Sequence, residues 1–175
     1  MATFKIDAAH SEIAFKVKHL MISTVSGAFK KFDATAETGK GDFSDVKVTF
    51  EADVDSIDTK DEQRDGHLKG DDFFNAEKFP KITFVSTSVE RKSDTEYTLT
   101  GDLTIRDVTQ PVELNVEYNG TVNDPWGQVK AGFEITGKIS RKEYNLKWNQ
   151  LTEAGGIMVG DDVKLHLNVE MTKQP

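Results

Sequence analysis

Tyr97-Thr98-Leu99-Thr100-Gly101-Asp102-Leu103-Thr104-Ile105-Arg106 alternates without a break. Tyr97, Leu99, Gly101, Leu103 and Ile105 share one side, and Thr98, Thr100, Asp102, Thr104 and Arg106 the other. Successive side chains of a strand point to opposite faces, so this is a strand with one apolar and one solvated face. The pattern recurs in both directions. Ser11 to His19 carries Ile13, Phe15 and Val17 on its apolar side, and Asp45 to Asp55 carries Val46, Val48, Phe50, Ala52 and Val54. Val112, Leu114, Val116 and Tyr118 form a further set, as do Val129, Ala131, Phe133, Ile135, Gly137 and Ile139. Val163, Leu165, Leu167, Val169 and Met171 close the chain. Segments 24–36 and 81–91 are less regular but rich in Val, Phe, Thr and Ser, which brings the reading to eight strands.

Turn residues fall between them: Gly39-Lys40-Gly41, Lys92-Ser93-Asp94, Asn119-Gly120 and Asn123-Asp124-Pro125. Short connections imply antiparallel neighbours, because parallel pairing needs a long crossover. Eight one-sided strands must hide their apolar faces in a barrel or a sandwich. Their length favours an all-β, eight-stranded antiparallel barrel, just wide enough to be filled by side chains or to hold one small ligand. With no repeat or linker in view, residues 1–175 read as a single domain.

One segment departs from the pattern. Thr59-Lys60-Asp61-Glu62 fits a capping box and predicts a helix over 60–73. Leu68 is its only interior aliphatic residue, so it suits a cap across one barrel end, with Phe73 and Phe74 tucked in. The stretch 142–160 is long for a hairpin connection and suits the rim of a mouth.

Composition narrows the function. The chain has 175 residues and a net charge of −8, with no basic cluster of the kind nucleic acid needs. The same charge argues against adsorption to an anionic membrane surface. No apolar run approaches the ~20 residues of a membrane span. Cysteine is absent, which removes disulfides, thiolate catalysis and thiolate metal sites. The start, Met1 to Asp7, lacks a basic segment followed by an apolar one, so a cytoplasmic location is expected. A trimmed signal would leave the same start in a periplasmic or secreted protein. Eleven Phe stand against three Tyr and two Trp. Phe carries no polar atom, so this bias suits a dry cavity, although an ordinary core would show it too.

Candidate chemistry is sparse. There is no G-x-S-x-G and no phosphate-binding glycine loop. His166 alternates with Leu165 and Leu167 and should face outward. His19 continues the apolar series of Ile13, Phe15 and Val17, so its imidazole is either a satisfied core group or a contact for a ligand's head. His10, Arg64 and His67 are further candidates for head-group contact at the mouth. Spacing among the histidines matches no metal motif, and neither metal nor cofactor is expected.

These pieces, taken in order, resemble the YceI-like family of lipocalin-like polyisoprenoid-binding proteins. The matching stretches are Ile6-Asp7-Ala8-Ala9-His10-Ser11, Phe15-Lys16-Val17-Lys18-His19-Leu20, Val25-Ser26-Gly27-Ala28-Phe29 and Ser56-Ile57-Asp58-Thr59. They continue through Arg64-Asp65-Gly66-His67-Leu68, Asp72-Phe73-Phe74-Asn75, Phe79 to Phe84, Gly101 to Thr109 and Gly160 to Glu170. The family usually has Trp where this chain has Phe4, and Gly where it has Asp107. Ser140 to Asn145 also departs from the usual Asp-Arg, two residues, Phe-Gly. The resemblance implies a lipocalin-like barrel whose tunnel holds a long amphiphile such as a polyisoprenoid, quinone or fatty amide, by carriage or storage and without catalysis. The expected cavity residues are Phe15, Val17, His19, Phe50, Phe73, Phe74, Leu103, Ile105, Phe133, Ile135, Leu165 and Leu167. The expected partner is an isoprenoid or other long-chain lipid; a homodimer is compatible with the reading, and nucleic acid and an integral membrane segment are not expected. The alternatives are an enzyme acting on a small apolar substrate in the cavity, and a ligand-free, stress-related barrel that acts through its surface.

Overall fold

The computed structural model describes residues 1–148 and 159–175. The strands are β1 (Ala2–Ile6), β2 (Glu12–His19), β3 (Ser23–Phe29), β4 (Phe32–Thr38), β5 (Lys47–Asp53), β6 (Ile57–Asp58), β7 (Lys81–Arg91), β8 (Glu96–Ile105), β9 (Val108–Asn123), β10 (Val129–Ser140) and β11 (Val159–Lys173). The one α-helix among the described residues, α1 (Glu62–Lys69), lies between β6 and β7.

Every pairing is antiparallel, and the ring runs β1-β4-β5-β7-β8-β9-β10-β11 and back to β1. That ring is an eight-stranded closed barrel, which leaves no sheet edge along its wall. The short strands are interrupted wall strands. β1 pairs with the C-terminal end of β11 through Ile6 and Met171, and β2 pairs with its N-terminal part through Phe15 and Leu165. A short 3-10 turn, Ala8–His10, separates them, with Asp7 accepting from the Ala9 amide. In the same way β4 and β3 stand beside β1 and β2, and β5 and β6 stand beside β4 and β3. The expected strand over 24–36 is thus two segments at one wall position, and the one expected over 45–55 ends at Asp53, where a 3-10 turn, Val54–Ser56, leads to β6 at the same wall position.

Two expectations are corrected. Asn119-Gly120 is not a turn, because β9 runs on to Asn123. Gly132 faces Gly120 and Phe133 faces Tyr118, so Asn119 is the extra residue of a β-bulge, and Gly120 supplies its φ of +114°. The helix is shorter than 60–73, and its N-cap is Asp61, whose carboxylate accepts from the Arg64 amide at 3.1 Å. Thr59 does not cap. It is 3% exposed, donates its hydroxyl to Asp65 and accepts from Arg64 Nε at 2.8 Å.

The helix has no buried residue of its own. It is held by the segment after it, where Phe74 N–H donates to Leu68 O at 3.0 Å and Ala76 N–H to Lys69 O at 2.8 Å. None of the described helices is long and apolar enough to cross a membrane.

Candidate functional site

The apolar faces of all eight wall positions converge on one interior space of about 260 Å³. On β11 its alternating lining runs from Val163 to Met171, with Val159 beyond a bulge. Eight residues of strand span about 27 Å, or roughly 20 Å along the barrel at a tilt near 40°. The space is therefore elongated. Of the expected cavity residues, Phe15, Val17, Phe50, Phe73, Phe74, Leu103, Ile105, Phe133, Ile135, Leu165 and Leu167 all line it.

Glycine makes room where rings lie flat against the wall. A Cβ at Gly101 would stand 2.5 Å from Phe84 Cζ and 2.6 Å from Val85 O, and one at Gly27 would collide with the Phe15 ring. The alternating pattern marked Gly101 as inward. Its purpose appears only with Phe84 across it.

One end is plugged by aromatic residues. Phe43 packs against Phe4 at 5.3 Å, Tyr118 at 5.4 Å and Phe133 edge-on at 5.2 Å between centroids. The loop that carries Phe43 is tied by Asp45, which accepts from Thr38 Oγ1 at 2.6 Å and Gly39 N at 2.9 Å. The Thr38 hydroxyl holds the Asp45 carboxyl below the usual carboxylate range. Tyr97 is 4% exposed and donates its hydroxyl to Asp42 O. Burial raises its pKa.

The other end is lidded. Leu68, Phe73 and Phe74 reach the interior space. Phe74 meets Phe29 edge-on at 6.1 Å, and Phe73 packs against Trp148 at 5.4 Å. His67 stands edge-on between Phe73 at 5.1 Å and Trp148 at 4.8 Å, with Nε2 2.9 Å from Asp72. It pins the lid from outside.

Arg141 is the site residue the sequence reading missed. It is 3% exposed and lines the space, and its guanidinium binds four carbonyls: Gly160 at 2.8 Å, Trp148 at 2.9 Å, Val159 at 3.2 Å, and Leu146. Asp161 is 3.9 Å away, and burial lowers the Arg141 pKa from its ordinary value. This side chain clasps the two chain segments that flank residues 149–158. The central part of the 142–160 stretch, expected at the mouth, lies outside the described residues. Asn145, at φ 61°, donates to Asp107 at 3.1 Å. Two of the departures from the family's usual pattern therefore touch each other, and Asn tolerates the left-handed backbone that Gly would otherwise supply.

None of the four head-group candidates lines the space. His19 is half-buried at the end of β2, opposite Ser23 and Val159. The β2–β3 register holds through His19, so His19 keeps the side of Val17, but it is the last residue of β2, one inward position beyond Val17, where the lining of β2 ends. Arg64 folds back, with Nη2 2.6 Å from Thr59 O. His10 sits outside the wall at the β1–β2 break, 2.9 Å from Asp7. That hydrogen bond raises the His10 pKa and, with Lys130, lowers that of Asp7. His166 faces outward, as its alternation implies, 2.8 Å from Glu134.

Among the described residues, Asp7, His10 and Glu170 form the single cluster whose ligand atoms lie within 4.8 Å of one another. Lys130 already holds it, 3.0 Å from Asp7 and 3.9 Å from Glu170.

The YceI-like domain profile matches residues 4–171. A UPF0312 protein of Staphylococcus aureus strain USA300 is 43% identical over 173 residues, 98% of each chain. The crystal structure of Burkholderia cenocepacia BcnA superposes with a TM-score of 0.82 at 25% identity, over 94% of this chain and 98% of that one. A Campylobacter jejuni YCEI protein gives 0.77 at 31% identity over 90% of each. A polyisoprenoid binding domain from Saccharophagus degradans gives 0.67 at 13% identity, over 96% of this chain and 97% of that one, and so shares the fold.

Proposed function

This chain belongs to the YceI-like family, and from that premise we propose that it carries or stores one long-chain amphiphile in its barrel without catalysing a reaction on it. The observation that carries the reading is the continuous apolar lining from Phe74 at the lid to Phe43 at the plug. Burying a hydrocarbon chain there gains about 25 cal/mol per Å² of apolar surface, so few polar contacts are needed for affinity. The polyisoprenoid-binding relative of the same fold fits this class of ligand.

The polar atoms argue for a neutral head and against catalysis. Only Tyr97 and Arg141 bring polar side chains to the described lining, and both are committed to backbone carbonyls. A diphosphate would need several converging cations. A prenyl alcohol, a quinone or a fatty amide would not. The test compares binding of a prenyl alcohol and its diphosphate at low and moderate salt. The alcohol is expected to bind more tightly at both. Tighter diphosphate binding, strengthened at low salt, would overturn the neutral-head reading.

A further inference from the structure

The outer face of the barrel at the lid end carries an arrangement the cavity does not explain. β2 and β3 are joined by Leu20-Met21-Ile22, and these residues are 37%, 56% and 83% exposed. Leu20 and Met21 have φ of 53° and 59°, closed by the Ile22 amide on His19 O at 3.2 Å. Both central positions of such a turn ordinarily hold Gly, Asn or Asp. Here large apolar side chains stand there and point three in a row into water.

Beside this tip lies a lysine ladder. Lys16 is directly opposite Lys164, and Lys164 directly opposite Lys138, across β2, β11 and β10. All three are exposed, as is Lys18, one step nearer the tip. Like charges paired across strands destabilise a sheet, so folding gains nothing from this row. Lys138 is 3.7 Å from Asp162, whereas Lys16, Lys18 and Lys164 have no ion pair among the described residues. The chain as a whole carries −8, and by that total an anionic surface should repel it. The ladder places positive charge locally against that total.

We propose that the β2–β3 tip and the lysine ladder form a docking site for the surface of an anionic lipid bilayer. An apolar tip backed by lysines is the pattern that inserts at the headgroup boundary and is held there by anionic lipids. Three protruding residues make a convex point, far smaller than the roughly 800 Å² per partner of a stable protein interface. Lys18 and Lys16 stand about 7 and 13 Å up the strand from Leu20. Strand tilt brings them to roughly 5 and 10 Å above it, close to the ~8 Å over which charge acts at physiological salt. The purpose of docking rests on the carrier reading: the tip lies at the lid end, where an apolar molecule would pass between bilayer and barrel.

The test is flotation of the full chain with vesicles of phosphatidylcholine alone, or with about one third phosphatidylglycerol. Bound lipid is extracted and weighed from protein that has met no vesicles. The protein is expected to float with the anionic vesicles, weakly with the neutral ones, and less as salt rises. Lys16→Gln and Lys164→Gln should each weaken anionic binding about fivefold. The double change Met21→Ser with Ile22→Ser should remove binding to both. These side chains are exposed, and unchanged thermal unfolding checks that each variant folds. Failure to float with anionic vesicles, or flotation indifferent to both sets of changes, overturns the proposal. Binding to a single-stranded DNA oligonucleotide as tight as to vesicles, and indifferent to the tip change, overturns it in favour of a general polyanion site. Protein that carries lipid but does not float sinks docking and leaves the carrier reading standing. Protein that floats but carries none does the reverse.

Discussion

Arg141→Met tests the clasp at the lid end. Methionine keeps the length of the stem and removes every donor. Four carbonyls, at Leu146, Trp148, Val159 and Gly160, lose their partner, and Asp161 loses a cation 3.9 Å away. One buried acceptor left unpaired costs about 1–3 kcal/mol. The four do not add, because the freed strands relax together and water reaches some of them. Breaking one side of a buried charged network costs about 3–5 kcal/mol, and the new apolar stem offsets part, so a net loss of about 3 kcal/mol is expected. At a urea dependence of about 2 kcal/mol/M the midpoint falls by roughly 1.5 M. Trp148 lies inside the clasp while Trp126 is 83% exposed, so tryptophan fluorescence reports mainly on the region being tested. Arg141→Lys should recover less than half the loss, since an ammonium cannot fork to four carbonyls. A midpoint shift below about a fifth of that value, or full recovery with Lys, would refute the reasoning.

Further expectations follow from the lid and the buried groups. Replacing Phe73 and Phe74 together by Ala should leave the barrel folded by circular dichroism but speed release of a bound fluorescent fatty amide at least tenfold; unchanged release removes the lid from the account. Tyr144 is 1% exposed, its hydroxyl has no partner among the described residues, and burial pushes its pKa up to about 12. Tyr144→Phe should therefore stabilise the fold by about 1–3 kcal/mol, measured by urea unfolding, and a loss of stability would show a hidden partner. The raised Tyr144 pKa makes its contribution complete below pH 10 and lost as pH rises through about 12, and the Phe variant should lack that alkaline slope. His10, raised by Asp7, contributes fully below pH 6.5 and less as pH rises through its folded value; Asp7, lowered, contributes above pH 3.8 and less as pH falls through its own. Unfolding midpoints across pH should lose the first of these slopes in His10→Ala, and an unchanged profile would show that the pair is not linked to folding.

The wall was legible because its residues obey one rule. From Val163 to Met171 each second residue lines the interior, and a period of two is visible in any single sequence. The interrupted strands were less legible. β1 has only five residues, and the Lys30-Lys31 break within 24–36 carries no glycine or proline to announce it. Arg141 was illegible for a different reason. A buried arginine looks like a solvated one until the carbonyls around it are known, and those come from 146–148 and 159–160. His19 shows the converse error: alternation gives the side of the strand correctly but not where along the strand the cavity ends, and the lining of β2 stops at Val17. The plug failed in the same way as Arg141, since Phe43 lies on a loop, outside any periodic pattern.

The most direct measurement is native mass spectrometry of the full chain purified without detergent. The account predicts a complex heavier than the bare chain by one lipid-sized mass, lost on organic extraction and restored by adding back the extract. A barrel that flies only at the mass of its chain, and takes up no prenyl alcohol, quinone or fatty amide when offered each in excess, would contradict it.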